Sequence, residues 1–205
     1  MEVEVKLRLS TQAAFDRVLD ALKTSEECPG VLRVDVQENW YFDTPTADLE
    51  RSRSVLRVRR SISRDTGDSH AKCTATSKGE ATLVDGISRV EEFEIPIECD
   101  ALQRIVNNPS SFCTNIHTKE FWKKLMPLWN DASQLHVIGK YFTERHKIKW
   151  RSWNLEIDST TYDFGKAFEI EIETERPHEA KREMPTTSHT PQVNATRCII
   201  CEWDP

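Results

Sequence analysis

Charged and apolar residues alternate one for one in segment after segment of this chain, a period that specifies extended strands rather than helices. In Glu2-Val3-Glu4-Val5-Lys6-Leu7-Arg8-Leu9 one face carries Glu2, Glu4, Lys6 and Arg8, and the other carries Val3, Val5, Leu7 and Leu9. Arg57 and Arg59 likewise oppose Leu56 and Val58, while Lys72, Thr74, Thr76 and Lys78 share one face of 72–78. Glu92 and Glu94 oppose Phe93, Ile95 and Ile97. Arg145, Lys147 and Lys149 oppose His146, Ile148 and Trp150. Glu156 and Asp158 oppose Leu155 and Ile157, and Glu169, Glu171 and Glu173 oppose Phe168, Ile170 and Ile172. After the mixed opening segment, cationic and acidic strands are separate.

Strands are predicted over 1–9, 31–42, 56–62, 72–78, 88–98, 135–142, 145–150, 153–158, 166–175 and 196–203. Ser10 or Thr11 caps a predicted helix with Phe15, Val18, Leu19 and Leu22 on its apolar stripe. Asp100 is the expected cap of a short helix carrying Leu102, Ile105 and Val106. Thr118 is the expected cap of another, with Phe121, Trp122, Leu125 and Trp129, which Pro127 kinks or ends. Pro177 suits the first position of a further helix. Residues 63–70 read as an exposed turn, and 107–117 and 184–193 as loops. The fold class is α+β: one domain over 1–205, with a large antiparallel sheet able to close into a barrel and a few peripheral helices.

With 205 residues, 30% charged and 38% hydrophobic, the chain has the composition of a soluble globular domain. No apolar run approaches the roughly 18 residues of a membrane span, and the opening strand is no signal peptide. A cytoplasmic protein with no membrane partner is expected. Cys28, Cys73, Cys99, Cys113, Cys198 and Cys201 are scattered, so reduced thiols are expected, and Cys198-Ile-Ile-Cys201 reads as two strand cysteines rather than a zinc or redox motif. A net charge of −6 argues against duplex nucleic acid as a partner.

The charged faces admit two interpretations. Each strand alone fits the wet side of a sheet packed on helices. Taken together, the separated signs fit a lumen: carboxylates for hard divalent cations, arginines and lysines for phosphate oxygens. Like charges crowded in a lumen need ligands of both signs, and a polyphosphate with its metal ions satisfies both sets.

Glu2-Val3-Glu4-Val5-Lys6 is an ExExK that resembles the signature of the CYTH, or triphosphate tunnel metalloenzyme, family. The resemblance extends to Tyr41-Phe42-Asp43-Thr44, Leu56-Arg57-Val58-Arg59, Ser77-Lys78, Gly86-Ile87-Ser88-Arg89-Val90-Glu91-Glu92, Tyr162-Asp163-Phe164-Gly165 and Phe168-Glu169-Ile170-Glu171-Ile172-Glu173. It is strongest over 1–9, 39–60, 72–98 and 145–176, loose over 99–140, and most similar to small single-domain plant-type tripolyphosphatases. The resemblance implies a closed eight-stranded antiparallel barrel, or tunnel, that hydrolyses tripolyphosphate with Mg²⁺ or Mn²⁺, one ion or two. It implies Glu2, Glu4, Glu169, Glu171 and Asp158 as metal ligands. Lys6, Arg8, Arg57, Arg59, Lys72, Lys78, Arg145, Lys147 and Arg197 are the implied phosphate grips. Lys6, Glu92 and Glu94 are the implied catalytic set, the glutamates placing a second metal or the attacking water and Lys6 binding phosphate before acting as a base. The partner is a small-molecule triphosphate, and a monomer is expected.

Two features depart from the family pattern. Arg197 stands where relatives bring a lysine into the tunnel, and arginine keeps the charge without exchanging protons near neutral pH. Met184-Pro185-Thr186-Thr187 interrupts a stretch that continues helically in relatives. The alternatives are hydrolysis of an organic triphosphate, such as thiamine triphosphate or a nucleoside triphosphate, ATP cyclisation to cAMP, or a non-catalytic polyphosphate-binding module. The tryptophans read as packing residues rather than stacking platforms.

Overall fold

The structure, a computed structural model, describes residues 1–28, 33–64, 70–125 and 134–184. The alternating segments form one antiparallel sheet. Its strands are β1 Glu2–Leu9, β2 Arg33–Asp43, β3 Val55–Ser63, β4 Lys72–Lys78, β5 Thr82–Val84, β6 Ile87–Val90, β7 Glu92–Ile97, β8 His136–Trp150, β9 Trp153–Tyr162 and β10 Gly165–Glu173. Their hydrogen-bonded order is β5-β6-β1-β10-β9-β8-β2-β3-β4-β7. The expected closed eight-stranded barrel is thus corrected to a sheet that, among the described residues, has ten strands and no closing ladder, and ends on β5 and β7.

Three local features account for the difference. The strands expected over 135–142 and 145–150 are one, because Thr143 and Glu144 stay in register with Thr160 and Ser159 across β9. The short strand β5 is added by a tight hairpin at Asp85 and Gly86, both at positive φ, the conformation of a two-residue turn. The strand expected over 88–98 parts at Glu91: β6 pairs with β1, and β7 with β4. One residue therefore joins strands at opposite sides of the sheet, and the sheet must roll until those sides nearly meet. Lys78 on β4 accordingly reaches Glu2 on β1 at 3.3 Å. Pro96, which lacks a backbone donor, is tolerated because β7 is an edge strand.

Register puts every charged face on the concave side. Lys6 lies opposite Glu171 and Arg8 opposite Glu169. Glu169 lies opposite Asp158, which lies opposite Arg145. Asn39 lies opposite Arg59, Arg57 opposite Thr76, and Lys78 opposite Glu92.

The apolar faces look outward and pack under helices in two clusters. The helix α1, Gln12–Lys23, opens with Thr11 Oγ1 accepting from the Ala14 N–H at 3.1 Å. Its Phe15, Val18, Leu19 and Leu22 pack with Val5, Ile148, Leu155, Ile157, Ile170 and Ile172, joined by Ala180 of α6, Pro177–Glu183. The other cluster packs Leu102 and Ile105 of α3 (Cys99–Asn107), Phe112 of α4 (Phe112–Asn115), and Phe121 and Leu125 of α5 (Lys119–Leu125) on Phe42, Leu56, Val58 and Ala75. Residues 107–117, expected as loop, thus include a 3₁₀ turn, Pro109–Ser111, and α4.

Glu98, not Asp100, holds the N-cap position of α3, without a capping side-chain hydrogen bond, and Asp100 falls in the first turn. Its first residue, Cys99, forms a disulfide with Cys73 of β4, with Cα atoms 5.3 Å apart. Reduced thiols were expected throughout; a separation of 26 residues gave no hint of this pair. Arg197, Trp129, Trp203, Pro127, Cys198, Cys201 and the expected strand over 196–203 lie outside the described residues. No helix among the described residues is long and apolar enough to cross a membrane.

Asp43 explains the Tyr41-Phe42-Asp43-Thr44 run structurally. Its side chain caps the helix α2, Asp48–Arg51, accepting from the N–H groups of Thr44 at 2.7 Å, Leu49 at 2.9 Å and Glu50 at 3.0 Å. Asp43→Ala leaves those donors without their acceptor and is expected to cost about 3 kcal/mol. Urea denaturation of the two proteins checks this; a loss under about 0.5 kcal/mol contradicts the capping role.

Candidate functional site

Along β1 the concave face passes from an acidic pole to a cationic middle. At the pole the Glu2 carboxyl shares hydrogen bonds with Glu4 and Glu92. Burial, followed by those two neighbours, pushes Glu2 up to about 9. Burial also works to raise Glu4, but the hydrogen bond with Glu2 and the ammonium groups of Lys6 and Lys78 prevail and bring it down to about 2. Glu92 is likewise lowered: burial opposes ionisation, but Glu2, Lys78 and Arg57 outweigh it. Of the three carboxyl groups, Glu2 therefore holds a proton far more readily than Glu4 or Glu92. Lys78 bridges Glu2 and Glu92, and Glu173 is raised by burial and by Glu4, Glu156 and Glu92.

In the middle, Lys6 lies 2.7 Å from Glu4 and 2.6 Å from Glu171. Burial tends to lower its pKa, but the two carboxylates prevail and raise it. Lys6 is thus an ammonium, suited to holding oxygens and unsuited to the base role. Arg145 grips Asp158 through two bonds of 2.9 and 2.6 Å, reaches Glu171 at 3.2 Å, and pairs with Glu156. Glu156 also pairs with Lys147 at 3.0 Å. Asp158 rises to about 6, because burial outweighs Arg145.

The opposite wall is less well balanced. Arg57 donates to Thr76 at 3.1 Å and to Glu94 at 3.4 Å, but its buried Nε has no acceptor among the described residues, and the hydroxyl of Thr74, opposite Arg59, has no partner there either. Arg59 donates to the neutral Asn39 at 2.8 Å. Burial, then the charges of Arg57 and Arg145, lower Arg59 to about 10. These guanidinium groups repel one another across space that an anion would neutralise.

Of the remaining residues singled out in the sequence, Arg8 pairs with Glu169 at 3.2 Å and Glu94 accepts from Thr76 at 2.8 Å. Lys72 is exposed at the far end of β4. Asn39, Thr76, Glu156, Tyr41, Tyr141 and Tyr162 were missed as site residues. The inner face of β2 carries Asp35, Gln37, Asn39 and Tyr41, mostly uncharged, while Glu38 faces outward among Val36, Trp40 and Phe42, so the charge alternation that marks the other strands is weak there.

The chain matches the family model described as the CYTH domain over residues 1–191. It belongs to the CYTH family. HpAC1 from Hippeastrum, named as an adenylyl cyclase with a dominant triphosphatase activity, is 31% identical, with 89% of this chain and 83% of that one covered and a TM-score of 0.75. A Bacillus halodurans protein named as an adenylate cyclase shares the fold at 23% identity and a TM-score of 0.65, over 89% of this chain and 84% of that one. The PH1819 protein of Pyrococcus horikoshii shares it at 18% and 0.54, over 89% and 83%. No curated protein matches the sequence.

Among the described residues no group of three or more acidic, histidine or cysteine side chains already converges as an ion cage. The trio of Glu2, Glu4 and Glu92 nevertheless fits a hard divalent cation by its chemistry, since a proton now supplies the positive charge that oxygen ligands require. Because the folded state holds the Glu2 proton up to about 9 and an unfolded chain releases it near 4.5, this group's stabilising contribution is complete below pH 4.5 and is lost as pH rises toward 9. In a chelator, Glu2→Gln is expected to flatten the decline of the melting temperature between pH 5 and 9. Parallel melting curves for variant and parent protein across that window contradict the shared proton.

Proposed function

We propose that this protein hydrolyses the terminal phosphoanhydride of inorganic tripolyphosphate with the help of Mg²⁺ or Mn²⁺. The observation that carries the proposal is the pairing of two unfinished half-sites on one concave face. Two guanidinium groups, Arg57 with an unpartnered buried Nε and Arg59 held by the neutral Asn39, stand across from the carboxylate trio of Glu2, Glu4 and Glu92. The dominant triphosphatase activity of the Hippeastrum relative supports the same reaction class.

Glu2, Glu4 and Glu92 are the residues that would hold a divalent ion. Glu169, Glu171 and Asp158 now pair with cations and would exchange those partners to join them. Such an ion, when bound, neutralises phosphate charge and acidifies a coordinated water. Arg57, Arg59 and Arg145 take non-bridging phosphate oxygens, Arg57 through its free Nε. Lys6 stays protonated, and Lys6 and Lys78 bridge the phosphates to the acidic pole. Their fixed charges face the oxygens on which negative charge grows as the leaving phosphate departs, which is where preorganised donors lower a barrier. Glu94, outside the trio and oriented by Thr76, aligns the attacking water.

Phosphate release is to be measured from tripolyphosphate, ATP and thiamine triphosphate, with and without each metal. Tripolyphosphate is expected to have the highest kcat/KM, and a preference of about tenfold or more for an organic triphosphate overturns the assignment. Glu4→Gln is expected to remove metal-dependent turnover by at least about 10²-fold, and Arg57→Ala to weaken tripolyphosphate binding by about 10-fold or more. A Glu4→Gln protein indistinguishable from its parent, with neither turning over any triphosphate, identifies a binding module instead.

A further inference from the structure

The Cys73–Cys99 disulfide ties down the strand that carries Glu92 and Glu94. β7 is the last strand in the hydrogen-bonded order and pairs with β4 alone. Its ladder runs from Glu92 opposite Lys78 to Ile97 opposite Cys73, and Cys99 follows Ile97 by two residues. The bond therefore fastens the far end of the ladder. At the near end the Gly79 N–H donates to the Glu91 carbonyl at 2.9 Å. Between these ties Glu94 accepts from Thr76 at 2.8 Å and Glu92 pairs with Lys78. An edge strand is held by one ladder instead of two, so its end opens at low cost unless something covalent holds it.

The two sulfurs differ in access. Cys73 is 4% exposed within the hydrophobic cluster under α3, whereas Cys99 is half-buried at the margin of that cluster. Exchange with a dithiol reductant therefore starts at Cys99. The reductant's thiolate bonds to Cys99 Sγ, the Cys73–Cys99 bond breaks, and Cys73 leaves as a thiolate that takes up a proton. The reductant's second thiol then displaces Cys99 from the mixed disulfide, and Cys99 takes the second proton. Two electrons and two protons pass to the protein, and the reductant is released as its own disulfide. The dithiol state has an acceptor in place, because the Ala71 carbonyl oxygen stands 3.5 Å from Cys99 Sγ. The helix α3 keeps its packing through Leu102 and Ile105, so opening the bond frees the end of β7 without detaching the helix.

Resting on the tripolyphosphate assignment above, we infer that Cys73–Cys99 is a thiol-exchange site that sets how firmly Glu92 and Glu94 are held. In the disulfide form both carboxylates keep fixed places for an ion and a water. In the dithiol form the outer end of β7 opens, and metal-dependent turnover falls. The anion grip is spared, since Arg57 and Arg59 on β3 and Arg145 on β8 stand on strands paired along both sides. The partner is a dithiol of the class that reduces protein disulfides.

Oxidised protein, protein held in dithiothreitol, and Cys99→Ala test this, with thiols counted by alkylation and mass. Dithiothreitol is expected to open the bond in the folded protein and to speed hydrogen exchange of the β7 amides by about tenfold. The Mg²⁺ concentration for half-maximal phosphate release is expected to rise by about fivefold or more, while tripolyphosphate binding in a chelator changes by less than about twofold. Cys99→Ala is expected to match the reduced protein with or without dithiothreitol, which assigns the response to this pair of cysteines. A bond that stays closed in dithiothreitol, exchange and Mg²⁺ requirement equal in both forms, or a response that persists in Cys99→Ala overturns the thiol-exchange site and leaves the tripolyphosphate assignment standing. Faster β7 exchange on reduction, in a protein that neither binds nor hydrolyses tripolyphosphate in either form, overturns that assignment and leaves the tie on β7 standing.

Discussion

The shape of the molecule depends on a single-residue connection. Glu91 joins β6, which pairs with β1, to β7, which pairs with β4 at the other side of the sheet. A flat or gently twisted sheet cannot meet that condition, since adjacent residues are only about 3.8 Å apart at their Cα atoms. The rolled sheet that results gives each strand one concave and one convex side. Register then decides which side chains face inward: a slip of one residue would turn the polar face of a strand toward a hydrophobic cluster.

Rolling the charged faces inward creates an electrostatic problem that is solved unevenly. On the β1–β10–β9–β8 wall, Lys6, Arg8, Arg145 and Lys147 meet Glu171, Glu169, Asp158 and Glu156, and most charge is neutralised in place. On the β2–β3–β4 wall, Arg59 has only the neutral Asn39 as hydrogen-bond partner, and Arg57 keeps an unused donor among the described residues. At the acidic pole a proton does the work of a counter-ion. The neutralised wall gives rigidity, and the unbalanced regions are where foreign ions gain most by binding.

Much of this was legible in the sequence because period-two alternation identifies both faces of a strand at once. The inward set on β1, β3, β8 and β10 follows from that pattern, and α1 from its separate stripe of Phe15, Val18, Leu19 and Leu22; the structure chose Thr11 over Ser10 as its cap. The break at Glu91 was not legible: nothing in Ser88-Arg89-Val90-Glu91-Glu92 signals a change of pairing partner, which is a property of the whole sheet. The interior of β2 was hidden because most of its inward residues, Gln37, Asn39 and Tyr41, are uncharged while the charged Glu38 faces outward. The Cys73–Cys99 disulfide and the partition of protons among Glu2, Glu4 and Glu92 arise from contacts distant in sequence, and alternation carries no information about those.

The two hydrophobic clusters lie wholly on the convex side, so the residues that stabilise the chain and the residues that line the concavity are separate populations. In most globular domains a change to the binding surface disturbs side chains shared with the core. Here Asn39, Thr74 or Tyr141 can be exchanged while the packing beneath α1 and α3 stays as it is. Such an arrangement lets ligand preference change at little structural risk.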